Sequence, residues 1–296
     1  MELRQLKTFC LAAETLNFSR TAEMLNYAQS SVTMQIQALE EELGVMLFER
    51  LGKVLKLTSE GERFLRYSKE ILRLAEEARE TVATGDRPAG TLTIGSVESL
   101  CTYRLPPLLR VFRERFPDVR LVLHPSACAD LTRGVQEGRF DAAFCLDRPV
   151  HAPQLAAETL LYEELILLSH PDHPLSRKTN VTPYDLADGE VLLLTEAGCS
   201  YRGLFEQTLL AAEVRPDTVL EFGSVEAIKQ CAMAGMGITV LPRVAVQAEL
   251  AAGRLAPLAW SAPLVPLPVQ LVQRFRSSFR SRSNVSETLA FCTLTS

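Results

Sequence analysis

The sequence is poor in several residues that usually announce a chemistry. It has one tryptophan and four histidines among 296 residues, and no C-x-x-C pair, which argues against a bound zinc ion. Seven cysteines (Cys10, Cys101, Cys128, Cys145, Cys199, Cys231 and Cys292) are odd in number and widely spaced. That pattern reads as reduced thiols in a cytoplasmic setting, not as a disulfide framework. No run of ~18 apolar residues is present to span a membrane, and the opening MELRQLKTFC lacks the apolar segment and cleavage site of a secretory signal. The motifs G-x-x-x-x-G-K-S/T, G-x-S-x-G and H-E-x-x-H are missing, so no catalytic centre can be nominated. The two histidines of His170-Pro171-Asp172-His173-Pro174 sit among prolines and read as a turn. No enzyme activity, metal or cofactor is expected. An excess of basic charge is lacking too: the formal net charge is −5. What remains is 47% hydrophobic and 23% charged, the make-up of a globular protein long enough for two or three domains.

The most informative stretch is 18–43, FSRTAEMLNYAQSSVTMQIQALEEEL. It reads as two short helices. The first opens at Ser19 as N-cap and buries Ala22 and Leu25; Asn26 ends it. In the second, Val32, Ile36, Leu39 and Leu43 form one apolar face. Its opposite face carries Gln29, Ser30, Ser31, Thr33 and Gln35, short or amide side chains suited to the edges of bases. A helix-turn-helix presents its second helix in this way, start first, to the major groove of double-stranded DNA. An ordinary helical hairpin has the same periodicity. Leu3, Leu6, Phe9, Cys10 and Ala13 mark a supporting helix before the pair. Val45, Leu47 and Phe48 anchor the segment after it, where residues 50–58 alternate around Gly52 as a small hairpin wing. Residues 1–58 hold six basic and seven acidic side chains. Glu40, Glu41 and Glu42 lie at the far end of the second helix, so a local basic edge remains for DNA.

Residues 1–58, MELRQLKTFCLAAETLNFSRTAEMLNYAQSSVTMQIQALEEELGVMLFER with LGKVLKLT, closely resemble the DNA-binding segment of LysR-type transcriptional regulators. The resemblance implies a winged helix-turn-helix in which Arg50 and Lys53 meet the DNA backbone, contacts that position without specifying sequence. Many members of that family have an arginine where this chain has Met34.

A long helix should follow, with Ser59-x-x-Glu62 as a possible capping box. Phe64, Ile71, Ala75, Ala78 and Val82 fall near heptad spacing and suit pairing with a second copy. The family's linker helix implies a homodimer, and a homotetramer beyond it. Residues 85–90 read as a hinge. From residue 91, strands at 91–95, 119–124 and 142–145 alternate with helices, which implies a parallel sheet. A second unit has strands at 165–168, 191–195, 219–222 and 238–241, and 266–272 returns to the first. Ile94-Gly95, Leu105-Pro106, Glu137-Gly138-Arg139-Phe140-Asp141 and Gly235-Met236-Gly237-Ile238 resemble the same family's effector domain, itself similar to periplasmic solute-binding proteins. The expected fold is α/β with an N-terminal all-α winged helix-turn-helix and a two-lobed, periplasmic-binding-protein-like effector domain. Its expected divisions are 1–58 for DNA binding, 59–89 for linker and hinge, and 90–296 for effector binding. Lobe I is 90–162 with 266–296, and lobe II is 163–265.

Ligands of such sheets bind at the carboxyl ends of strands. Four segments qualify, contributing Ser96 and Ser99; Cys128; Cys199, Ser200 and Arg202; and Ser224. Each also suits a plain helix cap, and Arg202 equally suits a surface role. The family places ligand contacts in the matching segments, Ser99 foremost. The turn of Ser96–Ser99 suits an anionic small-molecule effector, provided Glu98 points outward. A thiol-based redox sensor of the same architecture is an alternative, since Cys128 and Cys199 both map to the crevice. Redox-sensing relatives carry a second cysteine about nine residues beyond the third segment, whereas here the next is Cys231. A solute-binding module is the remaining alternative.

Overall fold

A computed structural model describes residues 1–51, 54–84, 89–187 and 189–274. Lys53, hinge residues 85–88 and the tail 275–296, expected to close lobe I, lie outside the described residues. The chain divides into two compact units, Met1–Gly90 and Thr91–Ser296.

The first unit contains α1 (Leu3–Thr15), α2 (Phe18–Leu25), α3 (Gln29–Leu43), the hairpin β1 (Phe48–Leu51) and β2 (Val54–Leu57), and α4 (Ser59–Thr84). Its core is one cluster of Leu6, Phe9, Val32, Ile36, Leu39, Leu47 and neighbours, as the helical periodicity requires. Phe9 meets the rings of Phe48 and Phe64 at 5.6 and 5.0 Å between centroids. Several local expectations need correction. The N-cap of α2 is Asn17, whose side-chain oxygen accepts the Ser19 and Arg20 N–H groups, so Ser19 lies inside the helix. Thr58 caps α4 by accepting the Gly61 N–H at 2.9 Å, leaving Ser59 to bond Glu60. A side chain at Gly61 would strike the Leu47 carbonyl, so the entry to α4 requires glycine. Leu3, Leu43 and Val45 are exposed, because each lies beyond the edge of this small core. Asn26 and Gly44, both left-handed, end α2 and α3.

The early part of α4 packs back onto this unit. Phe64, Leu65, Ile71 and Leu72 lie half-buried against the core, so Phe64 and Ile71 of the expected pairing seam are already partly covered within one chain. Tyr67, Leu74, Ala78 and Val82 instead form an exposed apolar stripe. A heptad count cannot tell these two faces apart when a helix packs on one neighbour along only part of its length.

In the second unit the first lobe contains β3 (Gly90–Ser96), α5 (Glu98–Tyr103), α6 (Leu105–Arg115), β4 (Val119–Pro125), α7 (Cys128–Gln136), β5 (Ala142–Leu146) and β6 (Leu155–Glu163). The second contains β7 (Leu165–Ser169), β8 (Val191–Thr195), α8 (Ser200–Ala211), β9 (Thr218–Phe222), α9 (Val225–Met233), β10 (Thr239–Pro242), α10 (Gln247–Ala251) and β11 (Ala256–Pro257). The last strand, β12 (Leu267–Arg274), returns to the first lobe. The larger sheet runs β4-β3-β5-β12-β6. β3 and β5 are parallel, whereas β12 is antiparallel to both β5 and β6, so the sheet is mixed and not parallel throughout. β6 escaped the sequence reading because it lies at the sheet edge and exposes Ala157, Glu158 and Thr159 in succession, which breaks strand alternation. In the second lobe β8 pairs parallel with β9, but β7 pairs antiparallel with β10 and β11. Among the described residues an isolated bridge, Leu192 with Ile238, joins the two small sheets.

Buried charge ties the lobes together. Arg104 at the end of α5 meets Glu163 at 2.6 Å, and Glu163 also accepts the Val244 N–H. Lys229 of α9 is almost fully buried, 3.0 Å from both Glu226 and Glu249, and donates to the Tyr103 hydroxyl at 3.2 Å. These partners hold its ammonium above the usual lysine range, against the opposing effect of burial.

Candidate DNA-reading face and effector cavity

The start of α3 is the candidate reading face. Its N-cap, Ala28, has no side-chain oxygen to satisfy the first N–H groups. Gln29 and Ser30 are exposed, while Ser31 and Thr33 are half-buried. Thr33 bonds back to the Gln29 carbonyl at 3.1 Å. Gln35 is set apart, since its side-chain carbonyl accepts the hydroxyl of the buried Thr8 at 2.8 Å and ties α3 to α1. Glu40 also has a structural role, accepting the Leu47 and Phe48 N–H groups where the wing begins. Arg50 stands in β1 opposite Leu55; its side chain, like Lys53, lies outside the described residues.

In the second unit the carboxyl ends of β3, β4, β8 and β9 lead into α5, α7, α8 and α9. Their junctions surround a cavity of about 260 Å³. Of the residues expected there, Ser99, Cys128, Cys199, Ser200 and Ser224 line it. Two do not. Ser96 is wholly buried, and its hydroxyl donates to the Val97 carbonyl at 3.2 Å. Arg202 turns away to Glu206 at 2.7 Å, Glu221 at 2.6 Å and the Thr195 carbonyl. A residue three places into a helix from the cavity can face the far side, and three acceptors hold Arg202 there.

Five lining residues, Pro125, Leu146, Thr195, Glu196 and Val225, fall outside the four expected segments. Strand ends at Pro125 and Thr195 and the strand residue Leu146 carry no local signal that marks them as cavity wall. Glu98 is the larger correction. Expected to point outward, it lines the cavity with Glu196, and its Oε2 is buried with no hydrogen-bond partner among the described residues. Burial, then the neighbouring Glu196 and Glu226, raise its carboxyl above the usual range; the Val225 N–H and Lys229 oppose them. Among the described lining residues Glu98 and Glu196 are the only charged ones, so the expected anionic group of the effector would face two carboxylates.

Ser99 is 2% exposed and its Oγ has no hydrogen-bond partner among the described residues. The thiols differ in character. Burial pushes Cys199 up, which leaves it protonated and weakly nucleophilic at neutral pH. A hydrogen bond with Cys145 pulls Cys128 down, against its burial, and the same bond together with burial drives Cys145 up. Burial likewise lifts Tyr201 well above the usual phenol range.

A helix-turn-helix with an open reading helix, followed by a two-lobed unit with a small cavity, defines a DNA-binding regulator of the ligand-responsive kind. Comparison with known proteins gives the family. Residues 3–62 match the "Bacterial regulatory helix-turn-helix protein, lysR family", and residues 85–285 match the "LysR substrate binding domain". The chain is 48% identical over 261 residues to the HTH-type transcriptional regulator YwqM of Bacillus subtilis, covering 88% of each protein. It is 33% identical to GltR of the same organism, over 86% of this chain and 84% of that one. Among solved structures, full-length OxyR from Pseudomonas aeruginosa superposes with a TM-score of 0.73 at 27% identity, over 99% of this chain and 94% of that one. CbnR, a LysR family regulator, gives 0.67 at 26% identity over 99% of both, and CbnR complexed with its target DNA gives 0.65 at 27% over 98% and 99%. The chain belongs to the LysR family: it is a DNA-binding transcriptional regulator with a helix-turn-helix and an effector-binding domain. Among the described residues no helix is long and apolar enough to cross a membrane.

Proposed function

We propose that this regulator reads double-stranded DNA with Gln29, Ser30, Ser31 and Thr33, and that a small molecule in the cavity beside Ser99 controls the outcome. It acts by binding and not by catalysis. Residues 1–58 read, 59–89 link and 90–296 sense. The observation that carries the reading is the convergence of four separate strand-to-helix junctions on one cavity, with Ser99 Oγ in its wall unpartnered among the described residues. The uncapped start of α3 supplies N–H groups for a phosphate next to the base-reading side chains, and Arg50 and Lys53 add contacts to the backbone of the duplex. The related CbnR has been captured on its target DNA, which supports the same docking here.

Two copies pair through the exposed stripe Tyr67, Leu74, Ala78 and Val82, and two such dimers form a tetramer. Leu74→Glu places an unpaired carboxylate in that seam, at a cost of several kcal/mol. Sedimentation of this variant should show smaller particles; an unchanged oligomer would move the pairing surface elsewhere.

For a ligand to change DNA binding it must favour one conformation over another, since affinity alone shifts nothing. A duplex selected from a random-sequence library provides the test. Gln29→Ala should weaken binding to the selected duplex while leaving random DNA nearly unaffected. Ser126→Trp, which fills the cavity, should bind that duplex normally and lose any ligand response. Equal losses on both DNAs for Gln29→Ala, or an intact response in Ser126→Trp, reject the two assignments separately.

A further inference from the structure

The cavity wall carries two kinds of unsatisfied group, and they ask for opposite charges. One kind is negative. Glu98 enters from the first lobe and Glu196 from the second, with no basic side chain among the described lining residues. Lys229, the nearest cation on α9, is committed to Glu226, Glu249 and Tyr103. An anion alone would bring a third negative charge to a partly desolvated pair of carboxylates. A cationic or hydrogen-bond-donating group beside Glu98 Oε2 would supply the partner that atom lacks.

The other kind is a set of donors. Helices α7 and α8, of 9 and 12 residues, both start at the cavity, and their N-caps, Ala127 and Cys199, make no side-chain cap hydrogen bond. The first N–H groups of both helices therefore lack an oxygen acceptor on their own caps and can be offered to an anion. At α8 the Cys199 sulfur, a weak acceptor, is the only competitor among the described residues for the Tyr201 and Arg202 N–H groups. α9 differs: Ser224 caps it, and the Glu98 carboxylate already accepts its Val225 N–H. Ser99 Oγ, nearly fully buried and unpartnered, adds a further donor. A purely cationic amine would leave this donor set unmet.

We infer that the effector is a zwitterion of the α-amino-acid class, its ammonium beside Glu98 and Glu196 and its carboxylate at Ser99 and the starts of α7 and α8. The volume of about 260 Å³ lies just below the range of roughly 300–1,000 Å³ typical of ligand pockets. It suits a compact amino acid and excludes a large aromatic or nucleotide effector. Val97, Leu146 and Val225 provide an apolar wall for a short side chain. The lobes supply one carboxylate each and one helix start each, so the ligand's two charges bridge them. This inference rests on the cavity being the effector site.

The test uses the full-length chain and the standard L-α-amino acids, each beside its deaminated acid and its decarboxylated amine. Thermal shift finds binders and calorimetry measures them. At least one amino acid should bind, with both matched analogues weaker by about tenfold or more. Glu98→Gln should weaken the amino acid about tenfold and leave the deaminated acid unchanged, whereas Ser99→Ala should weaken both. Glu196→Gln repeats the measurement if Glu98→Gln fails to fold by circular dichroism. A deaminated acid that binds as tightly as the amino acid, and loses affinity in Ser99→Ala, overturns the zwitterion and keeps the site. A ligand indifferent to both substitutions removes the site as well. Binding by none of the amino acids up to millimolar concentration overturns the assignment of class.

Discussion

In the DNA-reading unit, Gln29, Ser30, Ser31 and Thr33 lie within two turns of one helix and reach solvent or nearly so. In the effector unit, Glu98, Ser99, Thr195 and Cys199 come from separate stretches of chain, and Ser99 and Thr195 are almost wholly buried. The first arrangement costs little, because exposed polar groups keep their water until DNA replaces it. The second leaves Ser99 Oγ and Glu98 Oε2 without hydrogen-bond partners among the described residues, which costs stability that a ligand can return. A reading face needs exposure and a fixed spacing. A sensing cavity needs polar groups that are incomplete in the absence of the ligand.

The contrast is open to breaking in order of expected effect. The largest effects belong to the buried supports of each unit. Lys229→Ala should destabilise the effector unit by about 3–5 kcal/mol, because it strands the buried Glu249 without its closest cation. Phe9→Ala should cost the reading unit a similar ~3–5 kcal/mol by removing a ring that meets both Phe48 and Phe64. Urea unfolding checks both. The comparison predicts that Phe9→Ala abolishes specific DNA binding but spares ligand binding, and that Lys229→Ala does the reverse. A single shared transition, with both activities lost in each variant, would show that the units do not fold independently.

Next in size is the reading face. Gln29→Ala should cost about 1–3 kcal/mol on a selected duplex and much less on random DNA, as seen by fluorescence anisotropy. Gln35→Ala sharpens the point. Its carbonyl is engaged with Thr8, so this variant should lower thermal stability and weaken both DNAs together. A purely specific loss for Gln35→Ala would return it to the reading set.

The smallest effect concerns pH. Glu98 faces Glu196, Glu226, Lys229 and the Val225 N–H, and its carboxyl is raised overall, first by burial. A raised carboxyl favours the folded state while protonated, so this contribution is full below the unfolded carboxylate range and lost as pH rises through the folded value. Glu98→Gln should therefore gain stability relative to wild type as pH rises through that window, with half-exposure to solvent reducing the size of the effect. Binding of an ammonium group should run the other way and weaken as pH falls and Glu98 protonates. Calorimetry across the carboxylate range, with Glu98→Gln as a pH-insensitive control, reads this directly. Ligand affinity unchanged between wild type and variant at every pH would separate Glu98 from the ligand.

Fold class and family were legible because both depend on local signals. The apolar spacing of Val32, Ile36 and Leu39, the left-handed stops at Asn26 and Gly44, and the strand-to-helix junctions at Ser99, Cys128, Cys199 and Ser224 are all set by neighbours in the chain. Directions were harder. Ser19 looked like a cap, yet Asn17 two residues earlier has the side chain that reaches two N–H groups. Phe64 and Ile71 shared heptad spacing with Val82, but only the first two find α1 and the wing to pack against.

The sequence by itself determined the helix-turn-helix, the two-lobed α/β plan and the four chain segments at the cavity. Each follows from spacing along an element, and spacing is fixed by helix and strand geometry. Only the tertiary structure decided that Glu98 turns inward beside Glu196, that Arg202 turns outward to Glu206 and Glu221, and that Ser96 is sealed beneath the cavity. Those outcomes depend on partners distant in sequence. Whether a charged side chain faces a cavity or solvent is settled by which desolvation its neighbours can offset, and those neighbours meet only when the lobes are assembled.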